Sequence, residues 1–223
     1  MLKPILILLG AIGVIAATFF AARAMTVNSL TDQNSIYDTF EDVDGTWLFT
    51  DKIGAAAASS VERARVAIGG PLGLSSKEAV YFVATKDGDG APLKTQCTYR
   101  VSGPPIDTRW WSLSLYDSIT QHYVPNAENR SSWNSVSVPR SDDGNWVINV
   151  SPAPQDSAWL PSQETPDQSY ELMLRVYNPS AETRLDEPTR DEEGQHDEPD
   201  HPDAETRQGL VHGQCSGDRA CRD

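Results

Sequence analysis

The sequence predicts a mainly β protein: an antiparallel β-sandwich with one packed α-helix, preceded by an N-terminal transmembrane helix. Three observations predict it. Between Glu78 and Pro179, segments of alternating residues succeed one another through turn signals, with no helical stretch between them. That is the pattern of strands folded back into packed sheets. Ahead of them, Ala57, Val61, Ala64 and Ile68 recur at helical spacing and meet a stop at Gly69-Gly70. At the start, no charge occurs from Ile5 to Ala22, a run of about the roughly 17–25 residues that cross a bilayer core.

Residues 1–25 are the anchor. Lys3 precedes the apolar run, which favours a cytoplasmic N-terminus and export of the rest of the chain to the periplasmic or extracellular side. Ala22-Arg23-Ala24 also resembles a small-residue cleavage site, so a cleaved signal peptide is the other reading, although signal cores are usually shorter, roughly 7–15 residues. Residues 26–44 are polar and weakly patterned, a juxtamembrane spacer.

The sandwich domain spans residues 45–179. "GTWLFT" is its first strand, and the helix runs from Ala55 to Ile68. "AVYFVAT" is a strand, "KDGDGAP" an Asp-Gly turn and "KTQCTYRV" the returning strand of a hairpin. After a Pro-Pro break come "WWSLSLY", a long loop, "WNSVSV", the turn "SDDG" and "WVINV". A proline-rich segment then separates these from the last strand, "SYELMLRVY". Residues 180–223 hold 13 Asp and Glu against 5 Arg and almost no apolar periodicity. Such a chain cannot bury enough apolar surface to offset its ordering entropy, so a disordered acidic tail is expected.

Net charge is −14 and no Lys/Arg cluster occurs, so the electrostatic footprint of a nucleic-acid partner is missing. The expected partners are the membrane, through the N-terminal helix, and a small ligand or an envelope protein. The contact face comes from strand alternation. Successive strand residues point to opposite faces, so Trp111, Leu113 and Leu115 share a core face while Trp110, Ser112, Ser114 and Tyr116 share the other. In the last strand Leu172, Leu174 and Val176 are core, and Met173, Arg175 and Tyr177 alternate with them. If the two strands are neighbours, Trp110, Tyr116, Arg175 and Tyr177 line one face suited to a sugar, a peptide or an anionic ligand. The bland reading is that Arg175 covers the aromatics, or that the helix from Ala55 to Ile68 packs over this face.

No nucleophile elbow, zinc-protease motif, phosphate loop or dinucleotide fingerprint occurs, and no cofactor is expected. The domain has one histidine, His122, and one cysteine, Cys97. Hydrolase chemistry would need Asp117 with His122, or a carboxylate pair drawn from Asp107, Asp117, Asp142 and Asp143. Against this, Asp117 at a strand end reads as a turn residue and Asp142-Asp143-Gly144 as a hairpin turn. Cys97 alternates with Tyr99 and Val101, the position of a buried inert thiol. Cys215 and Cys221 are a candidate disulfide in an exported chain. His196, His201 and His212 lack the spacing of a closed metal site, and none is expected.

The series "RWWSLSLYD", "PNAENRSS", a glycine turn before "WVINVSPAP", "AWLP" and "YELMLRVYNP" resembles the family called domain of unknown function 1214. The likeness is to short, membrane-anchored members that lack an upstream second domain, and it covers residues 45–179. It implies a β-sandwich of jelly-roll type and supplies no activity, so no catalytic residue is carried over. Ser131 stands where the family has an aromatic residue, and "SQETPDQS" is longer than the family's turn.

Overall fold

An uncharged run with no polar face forms a helix whose membrane-length segment stays exposed. In the computed structural model, which describes residues 2–31, 37–56, 58–69, 73–163, 168–184 and 212–214, this helix is α1 (Leu2–Thr31). At 1.5 Å per residue its 30 residues extend about 45 Å. The segment Leu9–Asn28 is long and apolar enough to cross a membrane. The helix runs past Met25 into the expected spacer, where the Thr26 hydroxyl donates to the Ala22 carbonyl at 2.9 Å.

The second helix, α2 (Ser60–Gly69), ends at the glycines as expected but starts later than Ala55. Ser59 caps it: its N–H donates to Glu62 Oε2 at 2.6 Å, and the Glu62 N–H donates to Ser59 Oγ at 3.2 Å. This reciprocal capping box ends the helix at Ser59 regardless of the alanines upstream.

Among the described residues, ten strands form two sheets. The larger has the order β1 (Glu41–Asp42), β2 (Trp47–Thr50), β3 (Ala79–Ala84), β9 (Tyr170–Pro179), β5 (Thr108–Asp117), β6 (Ser132–Asn134). The smaller has the order β10 (His212–Gln214), β4 (Tyr99–Gly103), β7 (Trp146–Ser151), β8 (Trp159–Pro161). The larger sheet is antiparallel throughout, but β8 lies parallel to β7, so the smaller is mixed rather than purely antiparallel. β8 comes from the proline-rich stretch read as a connection.

The expected hairpin from "AVYFVAT" to "KTQCTYRV" is also corrected. The Asp-Gly turn forms, with the Asp87 N–H donating to Ala91 O at 2.8 Å and the Leu93 N–H to Thr85 O at 3.0 Å. After this short ladder the chain crosses over: β3 pairs with β2 and β9, while β4 pairs with β7 in the other sheet. Of "WNSVSV" only Trp133 and Asn134 fall in a strand, because Asn134 Oδ1 accepts the N–H groups of Val136 (2.9 Å) and Ser137 (3.0 Å) and turns the chain.

The sheets meet through aromatics. Trp111 of β5 packs on Trp146 of β7 with ring centroids 4.8 Å apart, and Tyr99 of β4 meets Tyr170 of β9 edge-on at 5.9 Å. Trp111 is therefore core, at 1% exposure. Gly103 lies opposite Trp146 in register, and a Cβ there would stand 2.6 Å from the indole. Only glycine lets β4 pass under that ring. The described chain stays packed past Pro179. Thr183 is buried, and its hydroxyl donates to Asp107 O at 3.1 Å. Most of the expected tail lies outside the described residues.

Candidate functional site

Alternation along β5 and β9 places their polar side chains together, because the two strands are neighbours. The antiparallel register sets Trp110 opposite Tyr177, Ser112 opposite Arg175, Ser114 opposite Met173 and Tyr116 opposite Glu171. Directly opposed residues share a face, so all eight side chains lie on the side away from the core. The four residues read as a contact face divide into two pairs. Trp110 and Tyr177 have ring centroids 5.3 Å apart. Arg175 Nη1 donates to Tyr116 Oη at 2.9 Å, with the guanidinium 5.1 Å above the Tyr116 ring. Trp110 and Tyr116 are six positions apart along β5, about 20 Å at strand rise, so the pairs occupy opposite ends of the face.

Around Tyr116 a polar cluster gathers. Tyr123 stacks on Tyr116 at 4.7 Å. Burial chiefly, and then the bond to Tyr123, push the Tyr116 hydroxyl up to about 12, with Arg175 pulling the other way. Beside it lies Glu171, at 0% exposure. Its Oε2 accepts from the Tyr37 hydroxyl, and Gln121 Nε2 stands 3.5 Å away. Its Oε1 is buried with no hydrogen-bond partner among the described residues. Burial raises the Glu171 carboxyl above the ordinary glutamate range, opposed by the bonds from Tyr37 and Gln121 and by the charge of Arg175. Gln121 reaches the cluster from a left-handed backbone, φ 58°, a conformation that costs a non-glycine residue energy and tends to mark functional loops.

Part of the face is covered. Val66 of α2, Phe40 and Leu74 pack with Ile53, Ala79, Tyr81, Met173 and Tyr177 in a second, smaller core. The covering reading is thus realised over β3 and the Met173–Tyr177 side of β9, and Trp110 and Arg175 remain partly exposed. The segment after α1 also docks here. Besides the Tyr37 bond, Asp38 pairs with Arg65 of α2 at 3.1 Å and Thr39 O accepts from the Thr50 hydroxyl at 2.8 Å.

Glu171 escapes notice in the sequence because the last strand reads as apolar only from Leu172 onward. Extending its alternation two residues back from Met173 would have found it.

Asp117 and His122 approach through the backbone, the Asp117 N–H donating to His122 O at 2.8 Å. Their side chains do not work together. Asp117 Oδ1 accepts the N–H groups of Ile119 (3.0 Å) and Thr120 (2.6 Å) and the Thr120 hydroxyl (2.9 Å), and Oδ2 accepts from Gln168 Nε2. Burial raises the carboxyl, but these donors outweigh it and hold Asp117 below its usual range. The His122 side chain is exposed, and no hydrogen bond or ion pair among the described residues joins it to the Asp117 carboxylate. Asp142 and Asp143 sit in an exposed turn closed by the Ser141 N–H to Asn145 O at 2.9 Å.

The inert thiol expected at Cys97 is corrected: the residue is buried, at 1% exposure, and disulfide-bonded. Cys215 and Cys221, with the pair expected between them, lie outside the described residues, as do His196 and His201.

Comparison with known proteins agrees with the resemblance read from the strands. Residues 78–181 match the model of a family described as protein of unknown function, DUF1214, which the chain therefore resembles across β3 to β9. No curated protein matches. A crystal structure of a Vibrio parahaemolyticus protein is similar at 22% identity and a TM-score of 0.48, over 57% of this chain and 33% of that one. An uncharacterized Burkholderia cenocepacia protein is similar at 16% identity and a TM-score of 0.34, over 70% and 38%. The chain thus spans about a third of the length of the first and less than two fifths of the second.

Proposed function

We propose that this protein is a membrane-anchored, exported, non-catalytic module of the cell envelope that binds a small polar ligand or an envelope partner. Its sandwich adopts the jelly-roll plan that the family resemblance implies, and α1 is retained as a single span with its N-terminus in the cytoplasm. The contact face is Trp110, Tyr116, Arg175 and Tyr177, joined by Glu171, with the loop from Asp117 to Ser132 at its rim. One observation carries the reading: Glu171 is wholly buried on a polar face, with a carboxylate oxygen that has no hydrogen-bond partner among the described residues and with the charge of Arg175 acting on it. A buried carboxylate left half-bonded costs stability, so it reads as a binding group rather than a strut. A sugar or peptide terminus would donate to Glu171 Oε1 and accept from Arg175, while the Tyr37 hydroxyl donates to Oε2. The disulfide at Cys97 supports an oxidising, exported setting. The hydrolase alternative gains no support, since the Asp117 carboxylate is taken up by its own turn.

Native mass spectrometry of the full chain in detergent tests the proposal. A reproducible adduct that disappears in Arg175→Ala and Glu171→Gln, but persists in His122→Ala, is expected. A clean apo mass with no cross-linked partner in membranes, or an adduct indifferent to both variants, would overturn it.

A further inference from the structure

The apolar stripe that the sequence places on the second helix does not face the core. Val61 and Ile68 are 50% and 55% exposed. They stand two turns apart on one side of α2, with Ala64 between them. The residue that packs inward is Val66, against Ile53, Tyr81 and Met173. It lies five positions from Val61, about 140° around the helix. So α2 turns Val66 to the domain and its stripe away from it.

The neighbourhood of α1 says what meets the stripe. The two helices approach to Cα separations of 8 Å or less. Among the described side chains of α1, those up to Asn28 are exposed and Leu30 is half-buried, which puts the approach at its C-terminal end. The chain path agrees. Asp38 lies seven residues past Thr31 and pairs with Arg65 of α2 at 3.1 Å, and seven residues extend at most about 25 Å. The segment able to cross a membrane, Leu9–Asn28, has 20 residues, about 30 Å of helix, and a bilayer core is roughly as thick. The end of α1 that α2 approaches is therefore the end that leaves the lipid.

We propose that α2 lies in the plane of the membrane surface beside the exit of α1, with Val61, Ala64 and Ile68 against the outer edge of the lipid. The inference rests on the reading of α1 as a retained span. Three small apolar residues would hold a free protein on a bilayer only weakly, but α1 keeps them at high effective concentration there. Arg65 is paired with Asp38 and Lys52 with Glu41, so the contact is apolar, and a neutral lipid suffices. Because α2 packs over β3 and β9, seating it turns the outer face of the larger sheet, with Tyr116 and Arg175, toward the bilayer.

Photo-crosslinking of the full chain in phosphatidylcholine nanodiscs tests this. The photoreactive residue p-benzoylphenylalanine replaces Val61, Ile68, Ile15 in the middle of α1, or Asp142 in an exposed turn of the domain, one at a time. Lipid adducts are expected at 61, 68 and 15, and at least fivefold less at 142. Lipid at 15 with none at 61 and 68, an adduct at 61 or 68 to a second copy instead of lipid, or equal yields at 142 and 68 would each overturn the seat of α2 while leaving the span intact. No lipid at 15 would remove the span, and the seat with it. With the probe at Ala64, the double variant Val61→Gln, Ile68→Gln should lose at least half of its lipid adduct with unchanged melting of the domain, since both side chains are exposed. An unchanged adduct at 64 would overturn the stripe as the contact.

Discussion

The two faces of β5 solve opposite problems with the same backbone. Inward, Trp111, Leu113 and Leu115 are buried against the second sheet and need only fit. Outward, Ser112 and Ser114 are as buried as core residues, yet they border Arg175, Tyr116 and Glu171, which are held by specific bonds. Each face leaves a buried polar atom without a hydrogen-bond partner among the described residues, the Trp111 indole nitrogen on the first and one Glu171 carboxylate oxygen on the second, but only the second of these belongs to a group that can carry a charge. The difference teaches where stability ends and the candidate chemistry begins: one face lowers the free energy of the fold, and the other carries a group that raises it.

Substitutions can break this contrast, beginning with the inner face. Trp111→Ala should cost about 3–5 kcal/mol by opening a cavity against Trp146, enough to unfold the domain in a urea titration. Gly103→Ala should cost roughly 1–3 kcal/mol by overpacking the same indole, visible as a lower urea midpoint with an unchanged slope. A null result at Gly103 would mean that the Trp146 ring moves aside.

On the outer face the sign reverses. Burial raises the Glu171 carboxyl in the native state, so the folded protein keeps this proton to higher pH than the unfolded chain does. The stability the group lends is complete below the unfolded glutamate value of about 4.3. It is lost as pH rises through the raised native value. Glu171→Gln, which keeps an acceptor for Tyr37 and does not titrate, should therefore melt a few degrees higher than the parent at pH 7–8, with the gap closing toward pH 4. Lower stability for Glu171→Gln at pH 7 would make the carboxylate a strut and dissolve the contrast. Tyr116→Phe, which removes one bond to Arg175, should cost about 1 kcal/mol. His122→Ala should stay within about 0.5 kcal/mol of the parent, as expected for an exposed side chain outside any network.

The sequence announced what depends on period and burial, and concealed what depends on distant partners. β5 and β9 were legible because Trp111-Leu113-Leu115 and Leu172-Leu174-Val176 alternate cleanly, and their adjacency produced the face read from them. The start of α2 was readable in principle from the Ser59–Glu62 spacing, but the alanines before it masked the cap. Asp-Gly chemistry correctly marked the turn after β3. It says nothing of which sheet the next strand joins, and that choice is made by β7 far downstream. β8 was invisible because three residues flanked by proline-rich chain have no period of their own. Of the proposed contact face, alternation along the two strands put Trp110, Tyr116, Arg175 and Tyr177 on one side of the sheet, where the register also places them. Glu171 and Tyr37 were missed, since nothing local says that a spacer tyrosine folds back on a strand.

That fold-back also limits reach. Thr31 ends α1 and Tyr37 already touches Glu171, and six residues of chain extend at most about 20 Å. With α1 in a bilayer, the Glu171 cluster cannot stray further than that from the point where the chain leaves the helix. If α1 spans the membrane as proposed, the cluster is confined to the thin layer at the membrane surface, where headgroups are concentrated and bulky soluble partners have little room to approach.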